Sequence, residues 1–364
     1  MAKLVTFGEI MMRLQTKTGR RFRQSMPGDM EVIFGGAEAN VAASFALLGG
    51  DVSFVSALPE NAIADACLGS LRAVGVDVSH VIRSKKGRLG IYFAEAGADQ
   101  RPSNVIYDRD YSSVSMESAG AYRWNRIFKG ADWFHTTGIT PALSKIAARV
   151  ARNAMEAAKK AGLTVSCDLN FRKKLWRWEE GTGANDLAGR VMSGLLPFVD
   201  VLIANEEDVG DVLGIKDDGL DTVSGAIDVQ KYPDIAKKVA QKFPNIKKIA
   251  FTLRESISAT HNNWGAMLYD TASGSVHFAP LSGVSYCPYH ITDIIDRIGG
   301  GDSFGAALIY ASLDDELKSG DDKIAAFAAA ASCLCHSIYG DFNYSTRDEV
   351  LALMKGSTSG RIVR

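Results

Sequence analysis

The sequence predicts an α/β fold: a mostly parallel central sheet covered by helices on both faces, with a small β-sheet lid over one end. Three observations carry this expectation. From residue 131 onward, short apolar runs alternate with amphipathic stretches, the rhythm of a parallel sheet buried on both sides. Two regions, about 10–34 and 86–111, break that rhythm with short strands of alternating polarity, which suits a sheet with one exposed face. Three consecutive glycines, Gly299 to Gly301, precede Asp302 and an apolar helical run, so bare backbone N–H groups fall at the first turn of a helix. The 364 residues are read as one domain, 1–364, with the two irregular regions forming the lid.

Taken in order, Leu4 to Phe7 reads as a buried strand ending at Gly8-Glu9, and Ile10 to Gln15 as a second one. A turn at Pro27-Gly28-Asp29 leads to Phe34-Gly35-Gly36-Ala-Glu-Ala-Asn40. A helix follows to about Leu48, stopped by Gly49-Gly50. Val52 to Ala57 suits a strand and Ala62 to Val74 a helix closed by Gly75. Arg88 to Ala94 and Asn104 to Asp108 pair as lid strands. The alternation then runs through strand 133–137, helix 144–161, strand 163–168, a loop holding Asn170, Arg172 and Trp176, strand 199–204 and helix 206–213. Helix 235–242 and strand 246–253 come next, then edge strands 264–269 and 276–278. Helices 301–313, 322–337 and 347–354 close the fold. Residues 214–231, rich in Asp and Gly, read as a surface insertion, and the tail from Gly356 as frayed.

A net charge of −1 gives no general attraction to nucleic acid or an anionic membrane. No apolar stretch reaches the length of a membrane span, and the first residues, Met-Ala-Lys-Leu-Val-Thr-Phe, lack a signal-peptide pattern. Cys67, Cys167, Cys287, Cys333 and Cys335 have no framework or metal-site spacing, so reduced thiols and a cytoplasmic location are expected.

Ligands of open α/β sheets sit beyond the carboxyl ends of the strands. Asp168, Asn170 and Arg172 follow one strand, Asn205 and Glu206 the next, and Thr252 and Arg254 a third. The glycine triplet lies near a further such point. A Walker loop, a dinucleotide fingerprint after the first strand and a Gly-x-Ser-x-Gly elbow are all missing from the sequence. His135 reads as a packing residue, and Trp176 and Trp178 as loop packing. Alone, the Gly299–Asp302 stretch fits a capped turn as well as an anion site.

Taken together, Gly35-Gly36-Ala-Glu-Ala-Asn40 and Gly299-Gly300-Gly301-Asp302 resemble the two signatures of the ribokinase-like (PfkB-type) sugar kinases. Several further segments are similar to the 2-keto-3-deoxygluconate kinases of that family. They are Gly90-Ile-Tyr92-Phe, Tyr107-Asp-Arg109, His135 to Leu143, Asp168-Leu-Asn170-Phe-Arg172 and Gly340-Asp341. The resemblance implies a three-layer αβα body, ATP and Mg²⁺ as cofactors, and a small sugar acid as the partner. It also implies that Asp302 is the general base beside an anion hole of Gly299, Gly300 and Gly301. Gly35, Gly36, Asn40, Tyr92, Tyr107, Arg109, Asn170, Arg172 and Asp341 would hold the substrate, with Arg109 and Arg172 together on its carboxylate. Asn205, Thr252, Arg254, Gly299 and Gly301 would hold ATP, and Asp208 the metal indirectly. Fructokinase or another neutral-sugar kinase is the alternative within the family, and an inactive sugar sensor the alternative outside it. A homo-oligomer paired through the lid is expected, because a small exposed β flap is marginal alone.

Three features depart from the family pattern. In the second signature Arg297 stands where Thr or Val is usual and Gly300 where Ala is; Asn205-Glu-Glu-Asp208 replaces Asn-x-x-Glu; and residues 252–263 lack the usual Gly-x-x-Gly.

Overall fold

The structure, a computed structural model, describes residues 2–17, 19–215 and 228–356. Most of the expected 214–231 insertion and the tail beyond Gly356 lie outside these residues. Six strands form the parallel part of a nine-stranded sheet, in the order Lys248–Ser256, Val201–Ala204, Thr164–Asp168, Trp133–Thr137, Lys3–Phe7, Asp51–Val55. Asn262–Asp270 adds antiparallel to the first of these and Val276–Ala279 pairs beyond it. Only the latter is an edge; Asn262–Asp270 is paired on both sides, also receiving the short strand Tyr289–Ile291.

Successive strand residues feed opposite helix layers, which is why the strands read as unbroken apolar runs. Val5, Val165, Leu202 and Ile249 join one core, packed by helices Lys145–Lys160, Ala184–Leu195, Glu206–Leu213 and Tyr232–Lys242. Leu4, Val201, Ile203 and Ala250 join the other, with helices Ala37–Leu47, Ala62–Ala73, Gly300–Leu313 and Asp321–Cys335. Ala184–Leu195 replaces part of what the sequence suggested was loop. Its apolar residues Leu187, Ala188, Met192 and Leu195 form a buried stripe, interrupted in sequence by Gly189 and Gly194. Local signals set helix ends: Asn205 caps Glu206–Leu213 by accepting from Asp208 N–H at 2.7 Å, and Gly214, at φ +68°, closes it.

A separate four-stranded sheet runs Glu31–Gly35, Met11–Gln15, Gly90–Glu95, Asn104–Asp108. One face buries Met11, Arg13, Tyr92 and Ala94 toward the body. The other carries Leu14, Val32, Ile91, Phe93 and Ile106, with Val32 57% and Ile106 50% exposed. Arg13 welds this sheet to the body: its Nη1 donates to Asp341 at 2.8 Å and its Nη2 to Asp296 at 2.6 Å, all three residues being buried.

Candidate active site

A cavity of about 670 Å³ opens between the carboxyl ends of the strands, the buried face of the small sheet and the start of Gly300–Leu313. Gly299, at φ +87°, caps that helix, and the N–H groups of its first turn lack intrahelical acceptors. A Cβ on Gly299 would lie 2.5 Å from the Asp341 carbonyl oxygen, and one on Gly300 would lie 2.9 Å from the His336 ring. At Gly301 a Cβ would meet no atom within 4 Å. The glycines thus have different reasons: two admit neighbouring protein, and the third faces open space.

Asp302 follows at once, its Oδ2 accepting from Asn40 Nδ2 at 2.7 Å, while Asn40 Oδ1 accepts from Gly36 N–H at 3.1 Å. This joins the two glycine-containing segments, 262 residues apart, in one contact. Burial pushes the Asp302 carboxyl up to about 7, against the opposing pull of the Asn40 hydrogen bond and the Arg172 charge. Burial likewise raises Asp208 to about 7. Asp168 lies well above the ordinary carboxylate range, raised by burial and by Asp208 and Asp302. These three carboxylates line one cavity, so only part of their charge is held easily without a cation.

Gly36, Asn40, Tyr92, Tyr107, Arg109, Asn170, Arg172 and Asp341 also line the cavity at the end nearer the small sheet. Gly35 does not; a Cβ there would collide with the Asp341 carboxylate, so this glycine serves packing rather than contact with a ligand. Asp341 is already committed, accepting from Tyr92 Oη at 2.6 Å and from Arg13. Asn170, at φ +35°, donates its N–H to Asp168 Oδ1 at 3.1 Å. The two arginines expected to share a carboxylate differ. Arg172 is exposed and forms no ion pair within 4 Å among the described residues. Arg109 is buried and paired with Glu9, its Nε 2.8 Å from Oε2, and lies over the Tyr107 ring at 5.4 Å. Its charge is therefore met within the protein, whereas that of Arg172 is not.

At the far end stand Asn205, Asp208, Thr252, Arg254, Asn262, Trp264, Arg297 and His336. His336 is buried and neutral, pushed down to about 4 mainly by burial, so its Nδ1–H donates to the Ser332 carbonyl at 2.8 Å. Among the described residues no cluster of three or more His, Cys, Asp or Glu side chains could hold a metal ion by itself. His135 lies in the sheet against Ser166 Oγ at 2.8 Å, and Trp178 Nε1 donates to the Pro141 carbonyl at 3.1 Å, both as packing residues. Sequence reasoning missed Arg13, Glu9, Asn262, Trp264 and His336. Only Arg13 left a signal, as a lone charge at a buried-parity position of an apolar strand.

The family profile described as pfkB family carbohydrate kinase matches residues 1–346. A 2-dehydro-3-deoxygalactonokinase of Haloferax volcanii is 31% identical over 99% of this chain and 98% of its own length. The crystal structure of a 2-dehydro-3-deoxygluconokinase from Thermotoga maritima is 44% identical, with a TM-score of 0.88 over 98% of this chain and 100% of that one. A structure described as a putative ribokinase II from E. coli is 18% identical, with a TM-score of 0.74 over 98% of this chain and 100% of that one. It shares the ribokinase-like fold.

Proposed function

Because the chain belongs to the pfkB family of carbohydrate kinases, we propose that it transfers the γ-phosphoryl group of ATP to the terminal hydroxyl of 2-keto-3-deoxygluconate. The name of the 44% identical relative supports that substrate, but the observation that carries the chemistry is Asp302. A carboxylate near neutrality, oriented by Asn40 and set in the first turn of a helix with open backbone at Gly301, suits a general base for an alcohol. The hydroxyl proton passes to Asp302, the freed oxygen bonds to the γ-phosphorus, and the bond to the β-phosphate oxygen breaks to release ADP. N–H groups at the helix start hold the charge on the transferring group.

Arg172 is the free cation for the substrate carboxylate, with Arg109 adding a donor from its pair with Glu9. Gly36, Asn40, Tyr92, Tyr107 and Asn170 surround the sugar chain, and Asn205, Thr252 and Arg254 the nucleotide. Mg²⁺ neutralises phosphate charge when bound and keeps much of its water, so it needs few protein ligands. Asp208, with Asp168 nearby, would hold it, which fits acids whose charge is hard to maintain unaided. The chain acts in the cytoplasm as a homo-oligomer, and the apolar outer face of the lid, with Leu14, Val32, Ile91, Phe93 and Ile106, supports pairing there.

The test is initial rates with ATP and Mg²⁺ on 2-keto-3-deoxygluconate, its galacto epimer, fructose and ribose. The highest kcat/KM is expected on the gluco acid. Preference for fructose overturns the substrate, and no ATP turnover on any sugar, with sugar still raising Tm, supports an inactive sensor instead.

A further inference from the structure

The far end of the cavity is rich in donors. Arg254 and Trp264 face one another across the strand pair Lys248–Ser256 and Asn262–Asp270, as do Ser256 and Asn262. Asn262 is fully buried; its Oδ1 accepts from Arg297 Nη2 at 3.2 Å and from Ser256 Oγ at 3.3 Å, which leaves the amide Nδ2 without a partner. Trp264, 5% exposed, likewise leaves Nε1 unbonded. Neither Arg254 nor Arg297 makes an ion pair within 4 Å among the described residues. The acids close in sequence are engaged elsewhere, Glu255 accepting from Asn263 at 2.6 Å and Asp296 from Arg13. Of the cavity carboxylates, Glu206 feels the Arg254 charge without pairing with it within 4 Å.

Both guanidiniums line the same cavity, and the Arg254 charge adds to burial in lowering the Arg297 pKa. Such a pair, beside two buried orphan donors, is complementary to a group of several negative charges. Its place selects which group. Arg297 precedes Gly299 by two residues, so its charge adjoins the helix start. The strands carrying Arg254 and Asn262 lie two and three positions along the sheet from the strand of Asp168, away from Asn40 and Tyr92. A single carboxylate is served at the other end by Arg172.

Resting on the kinase reading above, we propose that Arg297 and Arg254 form a two-guanidinium seat for the nucleotide's polyphosphate, with Asn262 holding Arg297 in place and adding a neutral donor. Residues 252–263 contain no glycine, so close-approaching backbone amides give way here to planar side-chain forks, which bind phosphate oxygens two at a time. Arg297 then has a purpose in a stretch where its presence was otherwise unaccounted for.

Calorimetric titration of the full chain with ATP and ADP tests this, comparing wild type with Arg297→Met. A loss of about tenfold or more is expected for both nucleotides, with the KM for the sugar acid unchanged and Arg297→Lys recovering part of the loss. ATP affinity unchanged in Arg297→Met, in an enzyme whose wild type turns over ATP, overturns this inference alone. Wild type that neither binds nor turns over ATP overturns the kinase reading with it. A measurement on wild type removes dependence on the variant's folding: modification by an arginine-selective dicarbonyl, mapped by peptide mass. ATP should protect Arg297 and Arg254 while adenosine does not; equal modification of Arg297 with and without saturating ATP refutes the seat.

Discussion

Asp302→Asn should yield an enzyme that is more stable and nearly inactive. The substitution keeps the side-chain shape and an oxygen to accept from Asn40, so the contact between the two glycine segments survives. What it removes is a charge the fold holds at a cost. The carboxyl moves from its ordinary 3.8 to about 7 on burial, and at about 1.36 kcal/mol for each pH unit this is a penalty of about 4 kcal/mol once both states are ionised. The folded state binds the proton more tightly, so stability falls as pH rises from about 4 to 7 and the full penalty is present above about 7. At pH 8 the variant should therefore melt about 5 °C higher than wild type, given the unfolding entropy of a chain this size. The gap should narrow toward pH 4. Removing a general base should lower kcat by about 10²–10⁴-fold, with sugar-acid affinity little changed. Scanning calorimetry at several pH values and steady-state kinetics make the comparison. A variant less stable than wild type at pH 8, or a kcat within tenfold, would refute the reasoning.

In wild type, log kcat/KM should climb with unit slope below about pH 7 and level off above it, as Asp302 loses its proton; a flat profile from pH 5 to 8 argues for another base. Arg172→Met should raise the KM for the sugar acid by about 10- to 100-fold, the worth of a charged hydrogen bond, and leave any activity on fructose unchanged. Glu9→Gln should destabilise the fold by about 3 kcal/mol or more in urea titration, because it strands the buried Arg109 charge. The pair Val32→Lys and Ile106→Lys should shift the chain toward monomer in analytical ultracentrifugation, since both residues sit on the exposed apolar face of the lid.

Much of the body was legible because burial on both faces writes each parallel strand as a short apolar run. Helix Glu206–Leu213 could be bounded to the residue by Asn205 and Gly214, which act locally. Ala184–Leu195 escaped notice because its stripe is broken by glycines and opens with Asn185 and Asp186. The site divides in the same way. Asp302 and its glycines announce themselves through neighbours in the chain. The pairing of Arg13 with Asp341 spans 328 residues and that of Arg109 with Glu9 spans 100, distances over which residue type carries no information about partner. Arg297 was visible as a departure from pattern, but the Asn262 Oδ1 that accepts from it lies 35 residues away and meets it only after folding.

The ion triad of Arg13, Asp296 and Asp341 determines where the small sheet can pivot. Arg13 sits mid-strand, and swinging the whole sheet outward would pull its guanidinium from two buried carboxylates, at several kcal/mol for the charges left unpaired. The base of the flap is therefore a fixed axle. The distal strand Asn104–Asp108 is tied to that axle, pairing along its length with Gly90–Glu95, and Arg109 just beyond it is bonded to buried Glu9. Tyr92 and Tyr107 face one another across that pairing with ring centroids 6.3 Å apart, so both aromatic contacts offered to a ligand stand in place before it arrives.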